Sequence, residues 1–326
     1  MSTSLKNWVA GARPRTLPAA VVPVVVGTAA GYRSSGSFHV GVCTIGSRSV
    51  LCGGLVDHQL QVINALLALI VALAIQIGTN YVNDYSDGVR GTDDVRVGPV
   101  RLVASRLATA RDVKIAAAAA FAVAGVAGLV LAARVTWWAV PVGIVCVIAG
   151  WAYTGGPKPY GYYGFGEIFV FLFFGLVATV GSAYVQHAPY VTVYMAHLYK
   201  YSYDWYFPIA AAVPVGLLAT GMLQANNMRD LETDTASGKK TLAVRLGRVR
   251  AGYLYLGTLM ATALSIGVLQ HFRGWAPIAF VGLPFSFYPI RLVLSNRTGR
   301  KLLPMLGATA RLQLVVGILI TVGILL

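Results

Sequence analysis

Apolar runs of about 17–20 residues recur along this chain, separated by short polar stretches that hold nearly all of its charge. A helix of that length spans roughly the 30 Å of a hydrocarbon core. In lipid the backbone must satisfy its own hydrogen bonds, so such runs can cross only as helices packed on one another. Nine spans are expected, over residues 17–32, 62–83, 115–133, 137–153, 168–185, 206–224, 252–269, 275–290 and 312–326. The eighth, with Pro277, Pro284 and Pro289, is the most interrupted. Charged residues make up 11% of the chain, against roughly a quarter in soluble domains. The expected fold is all-α: a polytopic membrane bundle forming one domain over residues 1–326.

The net charge of +15 would suit a nucleic-acid binder, but its distribution suits a membrane. With the N-terminus cytoplasmic, 21 Lys and Arg fall on the inner side and five on the outer side. That asymmetry places the polar stretches 84–113 and 226–250 in the cytoplasm, and an odd number of spans leaves the C-terminus outside. No nucleic-acid partner is expected, and the first apolar run reads as a retained helix rather than a cleaved signal. The segment 33–61 is an unusually long outer loop. It contains Cys43 and Cys52, which could pair in an oxidising compartment, whereas Cys146 sits within an apolar run as a packing residue.

Against this background the acidic residues stand out. The chain has eleven Asp and Glu, and seven fall in NYVNDYSDGVRGTDD, from Asn80 to Asp94, and NNMRDLETD, from Asn226 to Asp234. Carboxylates are costly near lipid and mark working sites there. Asn80, Asp84 and Asp87 are spaced i, i+4, i+7, and Asn226, Asp230 and Asp234 are spaced i, i+4, i+8, so each set should share a helix face. Oxygen donors of this kind suit Mg²⁺, whose shell is completed by water and substrate phosphates. Two facing sets could hold two or more Mg²⁺ ions around a diphosphate, the metal candidates being Asp84, Asp87, Asp93, Asp230 and Asp234. A duplicated, parallel arrangement of two halves would place both sets at one membrane face.

Basic residues accompany both windows: Arg90, Arg96 and Arg101 after the first, and Arg229, Lys239, Lys240 and Arg245 around the second. Arg15 lies near the same face. These could complete the binding of an anion whose charge Mg²⁺ offsets only in part. The connection YTGGPKPYGYYGFGE, from Tyr153 to Glu167, brings Tyr153, Lys158 and Tyr160 to that face, and tyrosine rings can stabilise a cation. All five histidines are expected on the opposite side, which argues against a histidine base or metal site among the acids.

Four separated stretches resemble one family: GARPRTLPAA, NDYSDGVRGTDDVRVGPVRLVAS, YTGGPKPYGYYGFGE and KKTLAVRLG. They are similar to the UbiA-type intramembrane prenyltransferases, and within these to the 1,4-dihydroxy-2-naphthoate polyprenyltransferases of menaquinone synthesis. The resemblance implies a nine-helix bundle around a cavity, capped at its cytoplasmic mouth, in the cell membrane. It implies Mg²⁺-dependent transfer of a long prenyl group from polyprenyl diphosphate to 1,4-dihydroxy-2-naphthoate, with loss of diphosphate and CO₂. Carried over by position, Asn80, Asp84, Asp87 and, less closely, Asp93 form the first motif, and Asn226, Asp230 and Asp234 the second. Lys158 and Tyr153 would then serve the diphosphate and the carbocation. The long 33–61 segment departs from the family pattern, on the side away from the chemistry. Alternatives are a related enzyme acting on 4-hydroxybenzoate, homogentisate or a porphyrin, or a transporter of phosphorylated metabolites.

Overall fold

A computed structural model describes residues 3–35, 41–45, 48–52, 58–91, 101–187, 205–295 and 297–326, with backbone only for those of them between 34 and 60 and for 187. Helices dominate: α1 (Leu5–Gly11), α2 (Pro18–Ser35), α3 (His58–Val89), α4 (Ala110–Arg134), α5 (Ala139–Ala152) and α6 (Gly166–Gln186) come first. They are followed by α7 (Tyr206–Arg229), α8 (Leu231–Ala236), α9 (Leu242–Leu269), α10 (Ala276–Leu294) and α11 (Gly299–Leu325). Within 33–61 the described backbone forms an antiparallel hairpin, β1 (Gly41–Ile45) with β2 (Arg48–Cys52). Its register sets Cys43 opposite Val50 and Cys52 opposite Gly41.

Among the described residues, seven helices are long and apolar enough to cross a membrane: α3, α4, α6, α7, α9, α10 and α11. The remaining two expected spans coincide with α2 and with the shorter α5. Several helices run past the expected limits because their polar ends are held by capping or packing that apolar periodicity does not report. Thr109 caps α4 by accepting the Asp112 N–H at 3.1 Å, with Asp112 in the first turn and Arg134 in the last, where each complements the helix dipole. Thr241 starts α9 ten residues before its expected limit. Gly247, at φ 74°, then redirects the chain, a conformation open to glycine at little cost.

The centre of the bundle is α7, two-thirds of whose apolar window is buried (67%). It packs on α9, α6, α11 and α2. On the other flank α3 pairs with α4, and α5 lies against both. Close helix approach rests on small residues, as expected where lipid offers no hydrophobic drive to associate. A Cβ on Gly27 or Gly31 of α2 would come within 2.1 Å of the Thr179 carbonyl oxygen or 2.3 Å of that of Ala183, on α6. Residues Phe171–Val177 of α6 are wound as a π-helix, with Gly175 lying directly on Gly216 of α7.

Candidate active site

The polar end of α3 is built against the N-terminal segment and the returning chain at 101–108. The Asn80 amide donates to the Ala12 carbonyl (2.9 Å) and Thr16 Oγ1 (3.0 Å), and the Tyr81 hydroxyl donates to the Trp8 carbonyl (2.9 Å). These bonds hold the tight turn at Arg13, whose φ is 53°, over the helix. Asn80, expected to bind substrate, thus spends its amide N–H groups on the Ala12 backbone and the Thr16 side chain. Asp84 is fully buried, and its two oxygens accept the N–H groups of Leu102 (2.8 Å) and Val103 (3.1 Å). It anchors the return of the loop after α3.

One turn on, Asp87 is the meeting point of the two windows. Its Oδ1 accepts from the Tyr162 hydroxyl and from Lys239 Nζ (3.0 Å), and its Oδ2 faces Arg101 Nη2 at 3.5 Å. Lys239 also lies 4.0 Å from Asp234 Oδ1, bridging acids 147 residues apart in sequence. Arg90 is exposed and donates to the carbonyls of Thr154 (2.6 Å) and Gly156, so it clamps the α5–α6 connection.

The second window is not one continuous helix. The chain breaks at Asp230 between α7 and α8, with the Asp230 N–H returning to the Asn226 carbonyl (3.1 Å). Asn226, Asp230 and Asp234 are thus divided between two helices, with the Asp234 N–H returning in turn to the Asp230 carbonyl (2.7 Å). The break lets neighbouring side chains pair: Arg229 donates to both oxygens of Asp230, at 2.7 and 2.6 Å, and to Asn226 Oδ1 at 2.6 Å. Arg229 and Asp230 are both buried, and Arg229 Nη1 has no hydrogen-bond partner among the described residues. Beside them the Asn227 amide donates to Glu167 Oε1 at 3.0 Å, a buried pair whose members lie 60 residues apart and carry no local signal in the sequence.

Below this polar layer lies a cavity of about 1460 Å³, walled by α2–α7 with Leu303 and Leu306 of α11, and reaching Trp138, Tyr184 and Trp205 at the far end. Its polar end is lined by Arg13, Asn80, Arg101, Asn226 and Arg229, while the four described Asp candidates sit behind these residues. The cavity lies between α5, which packs on α3 and α4, and α6, which packs on α2 and α7. Just inside it four rings form a continuous row. Successive centroids of Tyr153, Tyr160, Phe169 and Phe173 are 5.5, 4.0 and 6.0 Å apart. The Tyr160 hydroxyl is tied to the Ala149 carbonyl (2.9 Å), so this residue offers the cavity its ring. Burial, reinforced by Glu167, Tyr160, Asp234 and Asp87, holds the Tyr153 phenol well above the ordinary tyrosine value. Burial pushes Tyr160 up as well. Both phenols stay neutral near pH 7 and cannot act there as bases.

Not every expected residue is brought in. Lys158 and Lys240 are exposed and do not line the cavity; the Lys240 main chain instead docks on the Tyr162 carbonyl (2.8 Å). Arg15 is exposed at the cavity rim. Asp93 and Arg96 lie outside the described residues. His271, the histidine whose side chain is described, follows the end of α9 remote from the acids. Tyr162 and Arg13 join the site without a local signal: Tyr162 is one of four tyrosines in its loop, and Arg13 one of the many basic residues at this membrane face. Among the described residues, no three His, Cys, Asp or Glu side chains converge as a ready metal cage.

The chain matches the UbiA prenyltransferase family over residues 20–309. It is 45% identical over 312 residues to a 1,4-dihydroxy-2-naphthoate octaprenyltransferase of Mycobacterium tuberculosis, covering 96% of this chain and 94% of that one. A protein of the same name from Escherichia coli is 32% identical, over 98% and 95% of the two chains. The solved structure of a UbiA homologue from Archaeoglobus fulgidus, bound to DMAPP and Mg²⁺, superposes with a TM-score of 0.57 over 97% of this chain and 99% of that one. At 16% identity that likeness establishes the fold alone.

Proposed function

This chain belongs to the UbiA prenyltransferase family, and on that premise we propose that it transfers a long-chain prenyl group from polyprenyl diphosphate to 1,4-dihydroxy-2-naphthoate. The observation that carries the reading is 45% identity, over nearly the full length of both chains, to a relative bearing that activity in its name. The site supports it. A cluster of Asp, Arg and Lys suited to a metal-bound diphosphate stands at the head of an apolar cavity suited to a prenyl tail.

Within this reading Asp84, Asp87, Asp230 and Asp234 would hold Mg²⁺. The donor chemistry fits: carboxylates of both windows, with Asp87 and Asp234 meeting at Lys239, offer hard oxygens of the kind Mg²⁺ takes when phosphates complete its shell. Bound Mg²⁺ supplies charge neutralisation to the departing diphosphate. Arg101, Arg229 and Lys239 add fixed positive charge at the same place. The allylic C–O bond breaks toward that charge, its electron pair leaving with the diphosphate, and the electron-rich carboxyl-bearing carbon of the naphthoate forms the new C–C bond. The carboxylate then leaves as CO₂, returning its bonding pair to the ring and restoring aromaticity. The neutral rings of Tyr153 and Tyr160 face the prenyl cation and the apolar walls exclude water from it.

The same reading treats residues 1–326 as one integral-membrane domain in the cell membrane. Stretches 84–113 and 226–250 are cytoplasmic, and the 33–61 segment and the C-terminus lie outside, as the 21-to-5 division of Lys and Arg supports. The direct test is incubation of purified protein with carboxyl-labelled 1,4-dihydroxy-2-naphthoate and polyprenyl diphosphates of several lengths, with and without Mg²⁺. One labelled CO₂ per prenylated product, only with Mg²⁺, is expected. Product that keeps the label, or turnover confined to 4-hydroxybenzoate, would overturn the acceptor assignment.

A further inference from the structure

One side chain from the α5–α6 connection touches the machinery of both acidic windows without facing the cavity. The Tyr162 hydroxyl donates to Asp87 Oδ1, the same oxygen that Lys239 Nζ reaches at 3.0 Å. Nζ stands 4.7 Å from the centroid of the Tyr162 ring, and from there 4.0 Å from Asp234 Oδ1. The Tyr162 carbonyl accepts the Lys240 N–H at 2.8 Å, so the lysine segment and the tyrosine loop are tied by main chain too. Arg90 closes the other side, its guanidinium 5.3 Å from the ring centroid.

Lys239 is buried, and a buried ammonium requires compensation. Asp87 supplies a charge and Tyr162 a π face, while the four-carbon lysine stem supplies little orientation of its own. The ring is the contact from the loop side that lies against the ammonium itself, 4.7 Å from Nζ, as it rests between Asp87 and Asp234. The hydroxyl acts on the carboxylate in the same way. With Tyr162 and Lys239 both on Oδ1, Oδ2 is turned toward Arg101, which lines the cavity.

We propose that Tyr162 is a positioning residue that couples the two acidic windows: its hydroxyl orients Asp87, and its ring holds Lys239 where that ammonium bridges Asp87 and Asp234. The inference rests on the diphosphate reading above. It assigns Tyr162 to the diphosphate half of the reaction and not to the aromatic acceptor.

The test is calorimetric binding of inorganic pyrophosphate with MgCl₂ to the full-length protein in detergent, alongside KM values for both substrates. Tyr162→Phe removes one hydrogen bond to a charged group and is expected to weaken pyrophosphate binding about tenfold. KM for the prenyl diphosphate should rise in step, with KM for the acceptor unchanged. Tyr162→Leu, which also removes the ring, should lose more. In a Lys239→Gln background Tyr162→Phe should add little, because the two side chains act on one oxygen. Undiminished pyrophosphate binding by Tyr162→Phe, an equal rise in both KM values, full additivity with Lys239→Gln, or failure of Tyr162→Phe to fold would each overturn the proposal. Wild-type protein that binds no pyrophosphate would remove the diphosphate reading and this inference with it. Wild-type binding that Tyr162→Phe retains in full would remove the inference alone.

Discussion

Asp84 and Asp230 carry structural work that a ligand role alone would not require. Asp84 holds two backbone N–H groups of the loop after α3, and Asp230 neutralises a buried guanidinium. Asp84→Asn turns an amide group toward one of those N–H donors, so besides losing turnover it should destabilise the protein by about 1.5–3 kcal/mol. Asp230→Asn leaves Arg229 buried without its counter-charge and should be worse, about 3–5 kcal/mol. Thermal unfolding in micelles measures both, and lost turnover with unchanged stability would show that these carboxylates are not held as described. The raised tyrosines make a separate forecast. Neutral Tyr153 is favoured by the fold, so its contribution is intact below the ordinary phenol value of about 10 and is lost as pH climbs toward its raised value. Tyr153→Phe should therefore flatten the alkaline limb of the stability profile above about pH 10, and an unchanged limb would contradict the assignment.

Among the helices, the crossings of α2 with α6 and of α6 with α7 depend on glycine at points of backbone contact. A Cβ at Gly175 would meet the Gly216 Cα at 2.6 Å, and main chain cannot yield as a side-chain tip can. Gly175→Ala and Gly27→Ala should each cost about 1–3 kcal/mol through forced separation of helices. Gly257→Ala in α9, where nothing lies within 4 Å, should be neutral or stabilising by up to about 1 kcal/mol, since glycine is a poor helix former. Matched unfolding temperatures of the three variants would discount the crossings as described. The π-helical stretch of α6 lies beside the same contact and includes Phe173, Phe174 and Val177 of the cavity wall. Packing of α6 on α7 and the lining of the cavity are thus set by the same residues.

For the molecule as a whole, the acidic windows, the tyrosine loop and the N-terminal turn gather at one end, while Trp138, Trp205 and His271 lie toward the other. In a cysteine-free background, a cysteine at Gln270 should react with an impermeant thiol reagent on intact cells and one at Ala236 only after permeabilisation; the reverse would invert the proposed orientation. Much of this architecture was legible in the chain. Apolar run length and the placement of Lys and Arg are read directly by the bilayer, so spans and a membrane-bound class follow from local composition. Carboxylates are rare enough in such a chain that the two acidic windows identify themselves. What each acid touches was not legible, because those partners come from segments 18–152 residues away or from a chain break. Asp84 meets 102–103, Asp87 meets Tyr162 and Lys239, and the turn at Asp230 sets Arg229 on its own neighbour. Helical spacing treats Asn226 to Asp234 as one helix, whereas the tertiary structure divides that stretch at Asp230, because the buried Arg229 there takes Asp230 and Asn226 as partners.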